Sequence, residues 1–362
     1  MLHQTTQMEA VNNTEPAVSV IIPCRNERNH IETVIRSILD QKPPPGGFEV
    51  IVADGMSDDG TREILRRLSN DDSRLHIVDN PGLIVSKGLN IGIRKAKGDV
   101  IMRMDAHTEY APDYIFNCVE ILRATGADNV GGPWIAKGKG LIAGAIAAAS
   151  QSSFACGGAR GHNPDYEGIV DTVYLGCWPR DVFDRIGMFD EELVRNQDDE
   201  FNLRLARAGG KIWQSPRISS RYIARNSLLA LFRQYQQYGY WKVRVIQKHR
   251  RPASVRHIVP GIFTFLLVML PLLSFLWLPF LAFWALLLAT YCVSAVVAAF
   301  MTAAQPSWKL FSPLPVIFAC YHFGYGTGFL RGIWDFIFRS RAPNSRYTEL
   351  TRDSTGQSTT LE

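Results

Sequence analysis

Between Ile258 and Met301 the chain carries no Asp, Glu, Lys or Arg. One helix needs about 20 apolar residues to cross a bilayer, so an uncharged run of this length has room for two. The pattern predicts two membrane helices turned near Pro279 and a third apolar segment over 314–333. A helical pair buried in a protein core is the plain alternative for 258–301. His322, several glycines and Arg331 interrupt the third segment, which reads either as a span or as a helix lying at the interface. Lys248, His249, Arg250, Arg251 and Arg256 precede the run, and Arg331, Arg339, Arg341 and Arg346 follow it. Basic flanks favour the cytoplasm, so both ends lie inside and the number of crossings is even. The expectation is a multi-pass protein of the inner (cytoplasmic) membrane whose first domain is cytosolic, because residues 1–17 lack the apolar centre of a secretory signal.

The net charge of +5 gathers at that boundary, which points to anionic membrane lipid and away from nucleic acid. The six cysteines form no C-x-x-C pair, so neither zinc nor disulfides are expected in a reducing compartment. The division expected is a disordered N-terminus (1–16), a cytosolic domain (17–250), a membrane domain of two or three helices (258–338) and a disordered tail (341–362) rich in Ser, Thr and Arg.

Within the cytosolic part, Val18–Pro23, Phe48–Ala53, Leu75–Val78 and Val100–Met104 are short β-branched runs, separated by helical patterns over 29–40, 61–68 and 85–96. Strand and helix alternate, so the fold class is α/β, a mostly parallel sheet with flanking helices. Ligands of such sheets bind beyond the carboxyl ends of the strands. The polar clusters Cys24–Glu27, Asp54–Thr61 and Asp105–Tyr110 stand at those ends. Leu141–Ser150, rich in small apolar residues, reads as a core helix, with a helix lying against the membrane as the alternative.

Three clusters carry chemistry. Asp54-Gly-Met-Ser-Asp58-Asp59-Gly-Thr61 offers an acid to a ribose or nucleobase N–H, although Asp59 and Thr61 would equally cap the next helix. Pro23, Arg25 and Glu27 could frame the same base. Asp105-Ala-His107, at the exit of an apolar strand, offers two ligands for a divalent cation. Asp198-Asp199-Glu200 suits a helix N-terminus electrostatically, yet crowding raises the pKa of one carboxylate and equips it as a base.

In their order, VSVIIPCRNE, DGMSDDGT, GDVIMRMDAH and GMFDEELVRNQDDEFNLRLARAGGKI resemble the inverting family 2 glycosyltransferases of GT-A fold, over about residues 17–245. The DAH element, the RQYQQYGYWK segment and the C-terminal helices look similar to the glucosyltransferases of succinoglycan-type exopolysaccharide assembly. The resemblance implies a GT-A nucleotide-sugar-binding domain followed by C-terminal transmembrane helices. It implies that Pro23, Arg25, Glu27 and Asp54 line a uridine pocket, with Lys87 or Arg103 near it. Asp105 would meet the ribose and diphosphate. Asp105 and His107 would hold Mn²⁺ or Mg²⁺, His107 standing where the family usually has an aspartate. Asp198 would be the catalytic base, with Asp199 its rival because Gln197 replaces the usual glutamate. Gln237, Tyr240 and Trp241 stand where processive members carry Q-x-x-R-W; Tyr240 replaces the arginine, and Lys242 or Arg244 would supply charge at the diphosphate.

The expected activity is transfer of a sugar, glucose by the resemblance, from a UDP-sugar to a polyprenyl-diphosphate-linked glycan, with inversion to a β-glycoside. A polyprenyl-phosphate glycosyltransferase would need no base for a hydroxyl. A processive synthase would release long polymer. A non-catalytic membrane scaffold would show no turnover.

Overall fold

The computed structural model describes residues 16–348; the termini expected to be disordered fall outside them, apart from Pro16 and 341–348. The strands are β1 (Val18–Cys24), β2 (Phe48–Asp54), β3 (Leu75–Asp79), β4 (Val100–Arg103), β5 (Thr108–Tyr110), β6 (Asn129–Gly132), β7 (Ala136–Lys137), β8 (Gly168–Ile169), β9 (Tyr174–Pro179), β10 (Ile212–Gln214) and β11 (Ser220–Ile223). The helices are α1 (Ile31–Leu39), α2 (Thr61–Asp71), α3 (Val85–Lys95), α4 (Tyr114–Thr125), α5 (Gly140–Ala149), α6 (Ser153–Cys156), α7 (Asp181–Ile186), α8 (Gln197–Arg207), α9 (Leu228–His249), α10 (Val259–Leu273), α11 (Pro279–Ala303) and α12 (Leu314–Gly332).

Eight strands form the central sheet in the order β3-β2-β1-β4-β9-β6-β10-β8. The first four are parallel, as the alternation of strand and helix requires. β9 then runs antiparallel to both β4 and β6, so the second half of the sheet is mixed. Strand pleat sends alternate side chains to opposite faces. In β1, Val18, Val20 and Ile22 meet α1, α2 and α4 on one face, while Ile21 meets α3, α7 and α8 on the other. A small second sheet, β5-β11-β7, folds over the carboxyl edge.

The apolar run forms two helices, α10 and α11, turned at 274–278; both are long and apolar enough to be candidate membrane spans once α10 is counted from Val255. Their outward side chains are bare, Phe265, Val268, Leu286 and Val297 among them.

The third segment, α12, packs along α9. Gly324, Gly328 and Gly332 let the two backbones close up: a Cβ at Gly328 would stand 1.9 Å from the Gln236 carbonyl oxygen, and one at Gly332 2.7 Å from that of Tyr240. Small residues at such a spacing permit this approach. α12 is thus partly covered by α9. α5 is a core helix, but its core is the one it shares with α11 and α12: Ala145 and Ala149 pack with Ala299, Ala303, Leu314 and Phe318. No break in packing therefore separates 17–250 from 258–338. Ordered structure also continues past Arg341, where Tyr347 stacks on Tyr240 with ring centroids 4.1 Å apart.

Candidate active site

The loops after β1 and β2 are zipped together. Asn26 and Asp58 exchange two hydrogen bonds, at 2.9 and 3.1 Å, and the Glu27 N–H donates to Thr61 Oγ1 at 2.9 Å. Asp59 accepts from the Thr61 N–H and hydroxyl, so its role here is the helix cap. This bracing fixes Pro23, Arg25 and Glu27 along one wall of a cavity of about 1210 Å³. Asn80, Gly82 and Leu83, after β3, continue that wall.

Arg103, Asp105 and His107 form the floor at the end of β4. Arg103 grips Asp105 with two bonds of 3.0 and 3.2 Å, and Tyr110 Oη accepts from the Asp105 N–H at 2.6 Å. His107 lies between two carboxylates, Nδ1 3.3 Å from Glu27 Oε1 and Nε2 3.9 Å from Asp105 Oδ2. A separation of 3.9 Å lets both atoms reach one ion at the usual bond lengths of roughly 2.0–2.3 Å. Among the described residues no group of three or more His, Cys, Asp or Glu is arranged to hold a metal. Two ligands of such an ion are within reach here, Asp105 and His107, with both Asp105 oxygens also accepting from Arg103.

The opposite wall is the start of α8, entered through Asn196 in the left-handed conformation, φ 62°. Its three acids have separate fates. Glu200 is paired with Arg204 and His249, both at 2.8 Å. Asp199 is paired with Lys242 of α9 at 2.5 Å. Asp198 forms no ion pair among the described residues; its Oδ1 accepts the Asp199 N–H at 2.9 Å. Burial, then the charge of Asp199, raises the Asp198 pKa above the usual aspartate value, although Arg103 pulls against them. Burial also pushes on Asp199, but Lys242 outweighs it and holds that carboxyl below the usual range. Of the two rivals, Asp198 thus has the basicity and Asp199 has the lysine.

Pro23, Arg25, Glu27, Arg103, Asp105, His107, Asp198, Asp199 and Lys242 all line the one cavity. Five expected residues do not. Asp54 is fully buried behind the wall, accepting from the Ser57 hydroxyl at 2.5 Å and pairing with Arg62 at 3.3 Å. Lys87 lies across Gly82 on the side of Glu191. Gln237 is buried against Arg195, whose Nε donates to it at 3.0 Å. Trp241 is a core residue whose Nε1 donates to the Tyr347 carbonyl. Arg244 likewise turns to Glu192. The face of α9 that reaches the cavity is Gln234, Tyr235, Tyr238 and Lys242. Positions 234, 238 and 242 recur every fourth residue, whereas 237 and 241 belong to the neighbouring ridge. That periodicity was the signal available in the sequence.

Trp134 and His162 also line the cavity, their rings stacked at 5.8 Å, while Trp178 packs with Phe183 and Phe201 in the core. Cys156 lies 3.5 Å from His162, but burial pushes its thiol up to about 12, so the pair provides no thiolate. The same cavity is lined by Val259, Pro260 and Phe263 of α10 and Tyr291 of α11, residues no motif marked.

Residues 19–147 match the family model described as Glycosyl transferase family 2. The chain is 34% identical over 249 residues to the succinoglycan biosynthesis protein ExoA of Rhizobium meliloti (strain 1021), covering 68% of this chain and 75% of that one. It is 26% identical over 326 residues to a Methanococcus voltae protein, dolichyl N-acetyl-alpha-D-glucosaminyl phosphate 3-beta-D-2,3-diacetamido-2,3-dideoxy-beta-D-glucuronosyltransferase, covering 87% of this chain and 97% of that one. In fold it is similar to the mannosyltransferase PcManGT of Pyrobaculum calidifontis, solved with GDP-mannose and Mn²⁺, with a TM-score of 0.55, 20% identity and coverage of 89% and 88%.

Proposed function

The chain belongs to glycosyl transferase family 2 and is a glycosyltransferase of polysaccharide or glycan biosynthesis; from that premise we propose that it adds one sugar, glucose, from a UDP-sugar to a hydroxyl of a polyprenyl-diphosphate-linked glycan. It works from the cytosolic face of the inner membrane. The observation that carries this reading is the shared lining of one cavity, in which Arg25, Asp105 and Asp198 are joined by Phe263 and Tyr291 of the apolar helices. The polar lining suits a donor nucleotide, and the apolar lining suits a lipid chain. The acceptor named for the Methanococcus voltae relative, itself a dolichyl-linked sugar, supports the same acceptor class here.

Arg25 and Glu27 flank the nucleotide, and Arg103 and Lys242 bring positive charge to the diphosphate. Asp105 and His107 would hold a divalent cation, Mn²⁺ or Mg²⁺, which when bound neutralises charge on the leaving diphosphate. Asp198 takes the proton of the acceptor hydroxyl. That oxygen forms its bond to the anomeric carbon from the face opposite the donor phosphate, the bond from that carbon to the phosphate oxygen breaks, and UDP carries away the electron pair. An α-linked donor gives a β-glycoside. Lys242 keeps Asp199 ionised and turned to itself, so the proton has a single destination.

The test is transfer from radiolabelled UDP-glucose by membranes holding the full chain, with extraction of the lipid fraction. Asp198→Asn should lower transfer by about 10²–10⁴-fold and leave UDP binding unchanged. Undiminished transfer by that variant, with the label on a bare lipid phosphate, would replace this reading with a polyprenyl-phosphate transferase.

A further inference from the structure

We propose that Arg195 and Arg225 form a second anion clamp in the cavity, which holds the phosphate of the lipid-linked acceptor. The inference rests on the reading above that the acceptor glycan is carried on a lipid diphosphate, and it names the residues that recognise that group.

Both arginines line the cavity, although no sequence motif marked them. Arg195 stands at the entry to α8 and Arg225 just beyond β11. Each is moored on α9 by an amide: Arg195 Nε donates to Gln237 Oε1 at 3.0 Å, and Arg225 Nε to Gln234 Oε1 at 3.1 Å. A glutamine fixes a guanidinium without cancelling its charge, as a carboxylate would. Elsewhere in the same lining Arg103 is bound to Asp105, Lys242 to Asp199 and Arg256 to Asp171. Between the two moorings the Tyr238 hydroxyl accepts from Gln234 Nε2 at 2.9 Å. Burial, then Tyr222, holds that phenol above the ordinary tyrosine value, and the charges of Arg195 and Arg225 pull it back. Both guanidiniums therefore act on one stretch of wall. A guanidinium offers five N–H donors in a fork that matches phosphate oxygens. Six Arg and Lys residues line the cavity against four carboxylates, and without Arg195 and Arg225 the two signs would balance. A donor diphosphate and an acceptor diphosphate held together need that surplus.

Their place in the fold assigns the clamp to the acceptor. The donor diphosphate belongs with Arg103, Asp105 and His107 at the end of β4. Arg225 follows Ala224, which belongs to the core shared by α5, α11 and α12 with Ala299, Ala303 and Tyr321. Arg195 follows Val194, which belongs to the core of the α9–α12 seam with Tyr240 and Phe329. Both arginines thus stand one residue from the packing that joins the catalytic domain to the apolar helices. Asn196 Nδ2 donates to the Tyr238 carbonyl at 2.9 Å, which ties the segment of Arg195 and Asp198 to the helix that moors both arginines. A phosphate held by them leaves the glycan free to turn toward Asp198, while Phe263 and Tyr291 of the same lining receive the lipid.

The experiment is titration calorimetry on the full chain purified in detergent. Farnesyl diphosphate and farnesol are each titrated with UDP and Mn²⁺ at saturation, so that the donor site is filled; UDP with Mn²⁺ is titrated separately. The parent should bind farnesyl diphosphate more tightly than farnesol by about 10-fold or more, and equal affinity would overturn the proposal. Arg195→Ala and Arg225→Ala should each weaken farnesyl diphosphate by about 10–10²-fold, the range of a hydrogen bond to a charged group. Farnesol and UDP should bind as before. Weakened UDP with farnesyl diphosphate unchanged would assign the arginines to the donor and overturn the proposal, as would no change in either. Should an alanine variant lose every ligand through misfolding, Gln234→Glu decides. It keeps the hydrogen bond to Arg225 and cancels the charge, so farnesyl diphosphate should weaken by about 10-fold; parental affinity would overturn the clamp. None of these measurements reads sugar transfer, so a failed clamp leaves the transferase reading standing. A parent that bound farnesyl diphosphate but not UDP would support the clamp and sink that reading instead.

Discussion

Gly328→Ala adds one methyl group at the seam between α12 and α9. Its Cβ would stand 1.9 Å from the Gln236 carbonyl oxygen and 2.7 Å from the Gln236 carbonyl carbon. Carbon and carbonyl oxygen approach to about 3.3 Å at best, so the helices must part by about 1.4 Å. Both sides are backbone, and no side chain can swing away. Gly239 faces the Tyr325 carbonyl just as tightly, at 2.0 Å, so the seam cannot rock to make room. Overpacking of this kind costs about 1–3 kcal/mol, and a backbone clash belongs at the upper end. For a chain of this size that lowers the melting temperature by on the order of 5 °C. The same displacement moves α9, which carries Lys242 to its 2.5 Å pair with Asp199, and misplacement by about 1 Å costs up to about 10²-fold in rate. Thermal unfolding in detergent and transfer to lipid-linked acceptor are the two assays. Gly144→Ala is the internal control, because its nearest neighbour, Leu310, would be 3.7 Å away, and an alanine inside α5 stabilises by up to about 1 kcal/mol. A Gly328→Ala protein that melts and transfers like the parent would refute the reasoning.

The carboxylate pair predicts a pH profile. Asp198 must be ionised to accept a proton, so transfer falls as pH drops through its raised pKa. Asp199→Asn removes the neighbouring negative charge and releases Lys242, both of which lower the Asp198 pKa; the acid limb of kcat should move to lower pH, and an unmoved limb would assign it elsewhere. Chelation of divalent ions should abolish transfer and Mn²⁺ should restore it. His107→Asp replaces an imidazole by an oxygen ligand and should raise activity with Mg²⁺ relative to Mn²⁺, read as the ratio of rates in the two metals.

The first half of the catalytic domain was legible because its periodicities are strong. The runs at Val18, Phe48 and Val100 became β1, β2 and β4 within one residue of the expected ends, and the helical pattern over 85–96 became α3. β6 to β11 were not legible: β7 and β8 have two residues each, too few to show alternation, and they are held by long-range pairing. Site residues followed the same division. Arg25, Asp105 and His107 stand at strand ends, where the carboxyl edge of the sheet decides what they face. Asp54 stands at such an end too, yet it faces inward, because Ser57 and Arg62 satisfy it from the loop and helix that follow. Gln237 and Trp241 fall outside the cavity lining because matching a motif position does not determine which ridge of a helix turns toward the cavity. What distinguishes Asp198 from Asp199 in the structure is the partner lysine of Asp199, 43 residues away in sequence.

The placement of these residues has a cause that also bears on the apolar helices. α9 belongs to two packings at once: Lys242 and Tyr238 face the cavity, while Gly239 and Tyr240 meet α12 and the segment around Tyr347. Removing residues 258–340 is an obvious way to ask what the apolar helices contribute. In this fold that deletion would strip Ile317, Phe318 and Phe329 from the helix that positions Lys242, exposing a core along with losing an anchor. Loss of activity would then say nothing about lipid. The turn between α10 and α11 is the part that can be changed alone, since Phe275 and Leu276 are almost wholly exposed. If the apolar helices serve to hold the active site beside a lipid-linked acceptor, charged substitutions at that turn should spare transfer to a short, detergent-soluble acceptor and impair transfer to a membrane-borne one. Equal impairment of both would mean that the two helices act through folding.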